Sequence, residues 1–232
     1  MKSKLQVMKF GGTSVGDAAC IARAAQIVAQ AAKQNAVVAV VSAMSGVTNR
    51  LVEAANRAGA GDTQAGAALT DGLRQQHHAA LAALVPGENG RSAVARRIDE
   101  TLAEGQRLFD GTALLRELTP RALDTISSLG ERLCAPIFAG ALSELGVRGA
   151  AVEATELILT DSYHGGAEPL MDATRERCEA RLRPLLKDDV VPVATGFIGA
   201  TRDGTLTTLG RGGSDYSATI LGAALGADEV II

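Results

Sequence analysis

The chain has 232 residues, enough for one large domain or two small lobes with a sizeable core. Lysine and arginine number 23 against 26 aspartates and glutamates, a net charge of −3 with no basic run, which excludes nucleic-acid binding as the main role. No apolar stretch approaches membrane-spanning length, and Lys2 and Lys4 precede only a short apolar run that Gly11-Gly12 ends, so neither a membrane span nor a secretory signal is expected.

Leu5 to Phe10 reads as a first strand, and Gly11-Gly12-Thr13-Ser14 as a tight loop. Asp17 is placed to cap a helix through about Lys33, with Ile21, Ala24, Ala25, Val28 and Ala32 at helical spacing. The continuous apolar run from Ala36 to Val41 fits a buried parallel strand. Ser42 to Asn49 is a small-residue loop, and a helix starts near Val47. Residues 50 to about 125 form a helical insertion, with breaks at Gly59, Gly61 and Pro86-Gly87. Thr119-Pro120 caps a long helix running towards Leu145, with Gly130 or Pro136 as the expected interruption. Gly146 closes that helix, and Val147 to Val152 is the next strand. Asp172 to Leu186 is helical, and Val190 to Thr195 is a short buried strand. Asp203-Gly204 between β-prone flanks signals a hairpin within 197–209. Ser214 to Leu225 is helical, and Glu229 to Ile232 begins a final apolar strand, whose uncovered edge predicts self-association. Strands alternating with helices imply an α/β layered fold with a mainly parallel sheet.

Cys20, Cys134 and Cys178 are an odd, widely spaced set, which argues against a disulfide framework or a zinc site and for reduced thiols in the cytoplasm. His77 and His78 point to different helix faces, so they make a poor ligand pair, and they and His164 are expected at the surface.

Four segments carry chemistry. Lys9-Phe10-Gly11-Gly12-Thr13-Ser14 sets an ammonium beside bare amides at the carboxyl end of a strand, where open α/β sheets bind ligands. Ser42-Ala43-Met44-Ser45-Gly46-Val47-Thr48-Asn49 follows the second strand and offers hydroxyls and amides to a small polar substrate. Ser127-Ser128-Leu129-Gly130-Glu131-Arg132 places a carboxylate beside a glycine in a helical run, a candidate partner for an ammonium. Leu209-Gly210-Arg211-Gly212-Gly213-Ser214-Asp215-Tyr216-Ser217 joins a strand to a helix start through a glycine turn, the geometry that binds anions, and acts with Thr195-Gly196-Phe197-Ile198-Gly199. Arg211 suits a bidentate clamp on a carboxylate.

Two common motifs fail. Gly11 and Gly16 have P-loop spacing, but Asp17-Ala18 stands where Lys-Ser/Thr is required. Gly210-x-Gly212-x-x-Asp215 misses the third glycine of a dinucleotide fingerprint, which argues against a nicotinamide-dependent dehydrogenase. Strand-end glycine loops carrying one lysine, one arginine, hydroxyls and two carboxylates suit phosphoryl transfer to a small amino acid.

These segments, in order, resemble the aspartate kinase family of the amino acid kinase superfamily. The matching strings are Lys9 to Val15, Val41-Ser42-Ala43 with Val47-Thr48-Asn49, Gly130-Glu131, Gly196 to Gly199, and Thr207 to Ser217. The first and last are specific to aspartate kinases.

The resemblance implies a three-layer αβα sandwich and ATP-dependent phosphorylation of the side-chain carboxylate of L-aspartate, the first step towards lysine, threonine and methionine. It implies that Lys9 and Asp215 are catalytic, with Lys9 neutralising charge on the phosphoryl group and Asp215 organising the catalytic groups. Glu131 takes the aspartate ammonium and Arg211 a carboxylate, with Thr48, Phe197, Gly213 and Ser214 completing the substrate site. Lys9, Gly11, Gly12 and Ser14 face the nucleotide phosphates. The expected cofactors are ATP and Mg2+, with no protein metal ligand assigned, and the expected assembly is a homo-oligomer. Residues 1–195 correspond to the substrate-binding lobe and 196–232 to the start of the nucleotide-binding lobe. Family members build most of the nucleotide site from a Thr-Asp-Val-Asp-Gly-type segment after the strand matching Glu229–Ile232. The family activity is therefore expected to belong to a longer parent protein, and the alternative is a non-catalytic module that binds a small acid.

Overall fold

The computed structural model describes residues 3–232, apart from the Asn89 side chain; Lys2 lies outside the described residues. Five strands form one parallel sheet: β1 (Leu5–Phe10), β2 (Ala36–Val41), β3 (Gly149–Val152), β4 (Val191–Thr195) and β7 (Glu229–Ile231), in the order β3-β4-β2-β1-β7. A separate antiparallel hairpin, β5 (Ile198–Ala200) and β6 (Leu206–Thr208), turns at Asp203-Gly204, with Gly204 at φ +83°.

The helices are α1 (Ala18–Ala32), α2 (Val47–Gly59), α3 (Ala65–Leu84), α4 (Glu88–Leu115), α5 (Pro120–Ser127), α6 (Leu129–Glu144), α7 (Met171–Lys187) and α8 (Gly213–Leu225). The expected α/β fold is present as three layers. The alternating residues of β2 go to different cores: Val37, Ala39 and Val41 pack with α1 to α4 and α6, whereas Val38 and Val40 pack with residues of α7 and α8. Burial on both faces is why β2 reads as an unbroken apolar run.

Local signals set most boundaries. The Asp17 carboxylate accepts the Cys20 N–H at 2.7 Å and starts α1. The Thr119 hydroxyl accepts the Ala122 N–H and starts α5, with Pro120 at the first helical position. The insertion breaks where expected, giving α2, α3 and α4.

Three details differ from the sequence reading. The long helix is interrupted at Ser128, and both Gly130 and Pro136 lie inside α6. The Ser127 and Ser128 hydroxyls bond back to the carbonyls of Asp124 and Thr125, competing with the helical ladder there. β3 begins at Gly149, two residues later than expected. Gly146, at φ +76°, closes α6 by donating its N–H to Ser143 O, while the Val147 N–H is spent on Leu142 O. His77 is fully buried among α3 residues that face the core, although a surface place was expected. Its Nδ1 lies 2.8 Å from Leu73 O, and burial pushes its pKa down to about 4, so the ring is neutral at pH 7. His78 stays part-exposed beside Asp99, and His164 is half-buried against Asp124. The cysteines are free thiols, with Cys134 and Cys178 buried.

Gly130 is required by close approach. A Cβ there would lie 2.5 Å from Ala43 Cβ, because the start of α6 rests directly on the loop after β2. Gly130→Ala is expected to lower stability by about 1–3 kcal/mol through overpacking, read from the urea midpoint.

Candidate active site

The carboxyl ends of β1, β2 and β4 open into a cleft of about 720 Å³. Lys9, Gly11, Gly12 and Thr13 come from the end of β1, and Ser42 to Gly46 from the end of β2. Thr48 and Asn49 sit in the first turn of α2, and Glu131 in the first turn of α6. Phe197 follows β4, and Gly210 to Asp215 carry the turn into α8. Lys9, Gly11, Gly12, Thr48, Glu131, Phe197, Arg211, Gly213, Ser214 and Asp215 thus line one space. Ser14 does not line this cleft; it faces an adjoining groove, shared with Lys9, Thr13, Cys20 and Arg23. Thr13, Ser45 and Asn49 are further polar lining residues.

Two helices point their positive ends at this space without a side-chain cap. α2 begins after Gly46 at φ +75°, and α8 after Gly212 at φ +75°, a conformation that glycine adopts without strain. Uncapped N-terminal amides favour an anion in the cleft. The Lys9 ammonium is largely buried and lies 2.5 Å from Asp215 Oδ1. It also lies over Gly11, where a Cβ would stand 3.0 Å from Nζ. Asp215 is half-exposed, so solvent screens this ion pair on one side.

Glu131 is the opposite pole. It is 3% exposed, and its Oε2 has no hydrogen-bond partner among the described residues. Desolvation pushes its pKa up to about 8, only partly opposed by hydrogen bonds from the backbone at Ala43 and Glu131. A cation delivered to Oε2 would restore the ionised form. Arg211 is exposed and makes no ion pair among the described residues, leaving its five donors open to a carboxylate. Phe197 holds φ +71°, a strained conformation for a bulky residue, and its N–H donates to Ser217 Oγ at 2.9 Å.

The amino acid kinase family model matches residues 4–232. The chain belongs to the amino acid kinase family. Within it, the chain is 35% identical to lysine-sensitive aspartokinase 3 of Escherichia coli over 99% of its own length and 49% of that protein. It is 30% identical to an aspartokinase of Thermus thermophilus, over 97% of the chain and 41% of that protein. The crystal structure of E. coli aspartokinase III in complex with aspartate and ADP, in the R-state, superposes with a TM-score of 0.86 at 33% identity. That match covers 98% of this chain and 48% of the other. The chain spans about half the length of these aspartokinases.

The raised pKa of Glu131 has a fixed sign in stability. The folded state holds a proton that the unfolded chain has lost between the ordinary value of 4.5 and about 8, so this group's contribution falls as pH rises through that window. Glu131→Gln removes the titration. The stability of the variant relative to the wild type is therefore expected to rise by several kcal/mol between pH 5 and pH 8, measured by chemical denaturation at each pH.

Proposed function

We propose that this chain carries the substrate-binding side of an aspartate kinase, in which ATP phosphorylates the side-chain carboxylate of L-aspartate. The observation that carries the proposal is the buried, unpartnered Glu131 carboxylate lining the same cleft as Lys9 and Arg211. A carboxyl that ionises against a cation, a guanidinium free of ion pairs among the described residues and an ammonium paired with Asp215, all in one space, fit a zwitterionic amino acid with a phosphate beside it. The aspartate and ADP bound by the E. coli relative give the reading a substrate and a nucleotide.

In this reading Glu131, ionised on binding, takes the substrate ammonium, and Arg211 clamps the α-carboxylate. The side-chain carboxylate of aspartate is already ionised at pH 7, so the reaction needs no general base. One of its oxygens attacks the γ-phosphorus, the bond to the bridging oxygen breaks, and the electron pair leaves with ADP. Lys9 and the amide-rich ends of α2 and α8 neutralise the charge spread over the phosphoryl oxygens, while Asp215 holds the Lys9 ammonium in place. Gly11 and Gly12 cradle the phosphates. Ser14, facing the adjoining groove, fits this role only for a nucleotide reaching beyond the cleft. Mg2+ would come in on the ATP phosphates and add to the charge neutralisation there, with no residue of this chain assigned to it. We assign residues 1–195 to the substrate lobe and 196–232 to the start of the nucleotide lobe. A homo-oligomer is expected, read by light scattering, and the free thiols support a cytoplasmic location.

Calorimetry should show L-aspartate binding that releases a proton at pH 7 and tightens as pH rises towards 8, because Glu131 must ionise to bind the ammonium. Arg211→Ala should weaken that binding by about 10- to 100-fold, the loss of a bidentate pair. Aspartate-dependent ADP release, lost by about 100-fold or more in Lys9→Ala, supports catalysis. Aspartate binding without nucleotide binding reduces the protein to a small-acid-binding module, and no aspartate binding at all overturns the reading.

A further inference from the structure

Asp124 does not line the cleft, yet it ties two of its walls together. Its side chain is almost fully buried on α5. Oδ1 accepts the Thr208 hydroxyl at 2.6 Å and the Gly165 N–H at 3.1 Å. Oδ2 accepts the Thr208 N–H at 3.3 Å, shares the Gly165 N–H at 3.1 Å and lies 2.8 Å from His164 Nδ1.

Two of these contacts lead to the Arg211 turn by separate routes. Thr208 ends β6, two residues before Gly210. Gly165 lies against Gly210 itself: a Cβ on Gly210, already at φ +76°, would stand 3.2 Å from Gly165 O and 3.3 Å from Gly166 Cα. Since Arg211 makes no ion pair among the described residues, its place is set by the backbone of this turn.

The other end of Asp124 leads to Glu131. The Asp124 carbonyl accepts the Ser128 N–H and the Ser127 hydroxyl, both at 3.1 Å, at the junction where α5 passes into α6. Glu131 lies three residues beyond that junction, in the first turn of α6. One residue therefore bonds through its carbonyl to the segment carrying the anionic pole and through its carboxylate to the segment carrying the guanidinium.

We propose that Asp124 is a positioning residue that sets the separation between Glu131 and Arg211, and with it the fit of the cleft to the ammonium and α-carboxylate of its amino acid. This rests on the aspartate reading above. The required balance is strict because the carboxylate accepts on both oxygens, which its isostere, the carboxamide, cannot do. The amide introduced by Asp124→Asn gives up one accepting oxygen: its NH2 faces the Thr208 and Gly165 N–H donors in one orientation, and in the other the Gly165 N–H and a Thr208 hydroxyl that must reverse to accept.

The test uses Asp124→Asn with two readouts. Amide hydrogen exchange on the ligand-free protein should quicken by about tenfold or more at Gly210 to Ser214, with the β2 amides unchanged. Calorimetry should show L-aspartate binding weakened by about tenfold or more. Thr208→Val removes only the hydroxyl donor and should shift both readouts the same way by a smaller factor; it decides the matter should Asp124→Asn fail to fold. Unchanged exchange at the turn, or exchange quickened equally in β2, overturns the proposal. Faster exchange at the turn with aspartate affinity unchanged also overturns it. If the wild type binds no L-aspartate, the proposed function and the separation role both fall, while the exchange readout alone reports whether Asp124 holds the turn.

Discussion

Burial of the central parallel sheet on both faces governs what this protein can do. With α1 to α4 and α6 on one side and α7 and α8 on the other, β1, β2 and β4 have no wet face for a functional side chain. Polar groups are confined to the strand ends. A parallel arrangement puts all the carboxyl ends at one edge, and β2 and β7 lie on opposite sides of β1. Lys9, the loop from Ser42, and Phe197 meet there because each leaves its strand at that edge.

The cleft holds several features that cost stability in a folded chain. Glu131 holds a carboxylate oxygen without a partner among the described residues, α2 and α8 begin without side-chain caps, and Phe197 sits at a positive φ. Each is a departure from good local structure, and all of them line one space. Their complements, a cation for Glu131 and anions for the helix ends, are properties of the ligand. The surrounding sheet and the helical insertion supply the rigidity that keeps these groups apart before it arrives. Gly130 shows how tight that support is, since the absence of one Cβ lets α6 rest on Ala43 and brings Glu131 to the cleft wall.

The legible part of the fold was written in short-range signals. The run Ala36–Val41 announced a doubly buried strand, Asp17 and Thr119-Pro120 announced helix starts, and Asp203-Gly204 announced the hairpin. Each depends on hydrogen bonds or side-chain alternation within a few residues, so the local string suffices. The cleft residues were legible for a related reason: glycine turns at strand ends combine a local backbone requirement with charged neighbours. Ser14 shows the limit, because adjacency in the string to Gly12 and Thr13 did not put it in the same space.

The sequence by itself determined the order of elements, the layered class and which loops carry the charges. Only the tertiary structure decided which side of α3 meets the core, and so that His77 is buried and neutral while His78 is not buried. It alone brought Asp124 to Thr208, across 84 positions of chain, and left Glu131 dry and unpaired among the described residues. The reason is range. Helix caps, turns and strand alternation are settled by neighbours along the chain, whereas desolvation and the convergence of donors on one carboxylate depend on which distant surfaces meet.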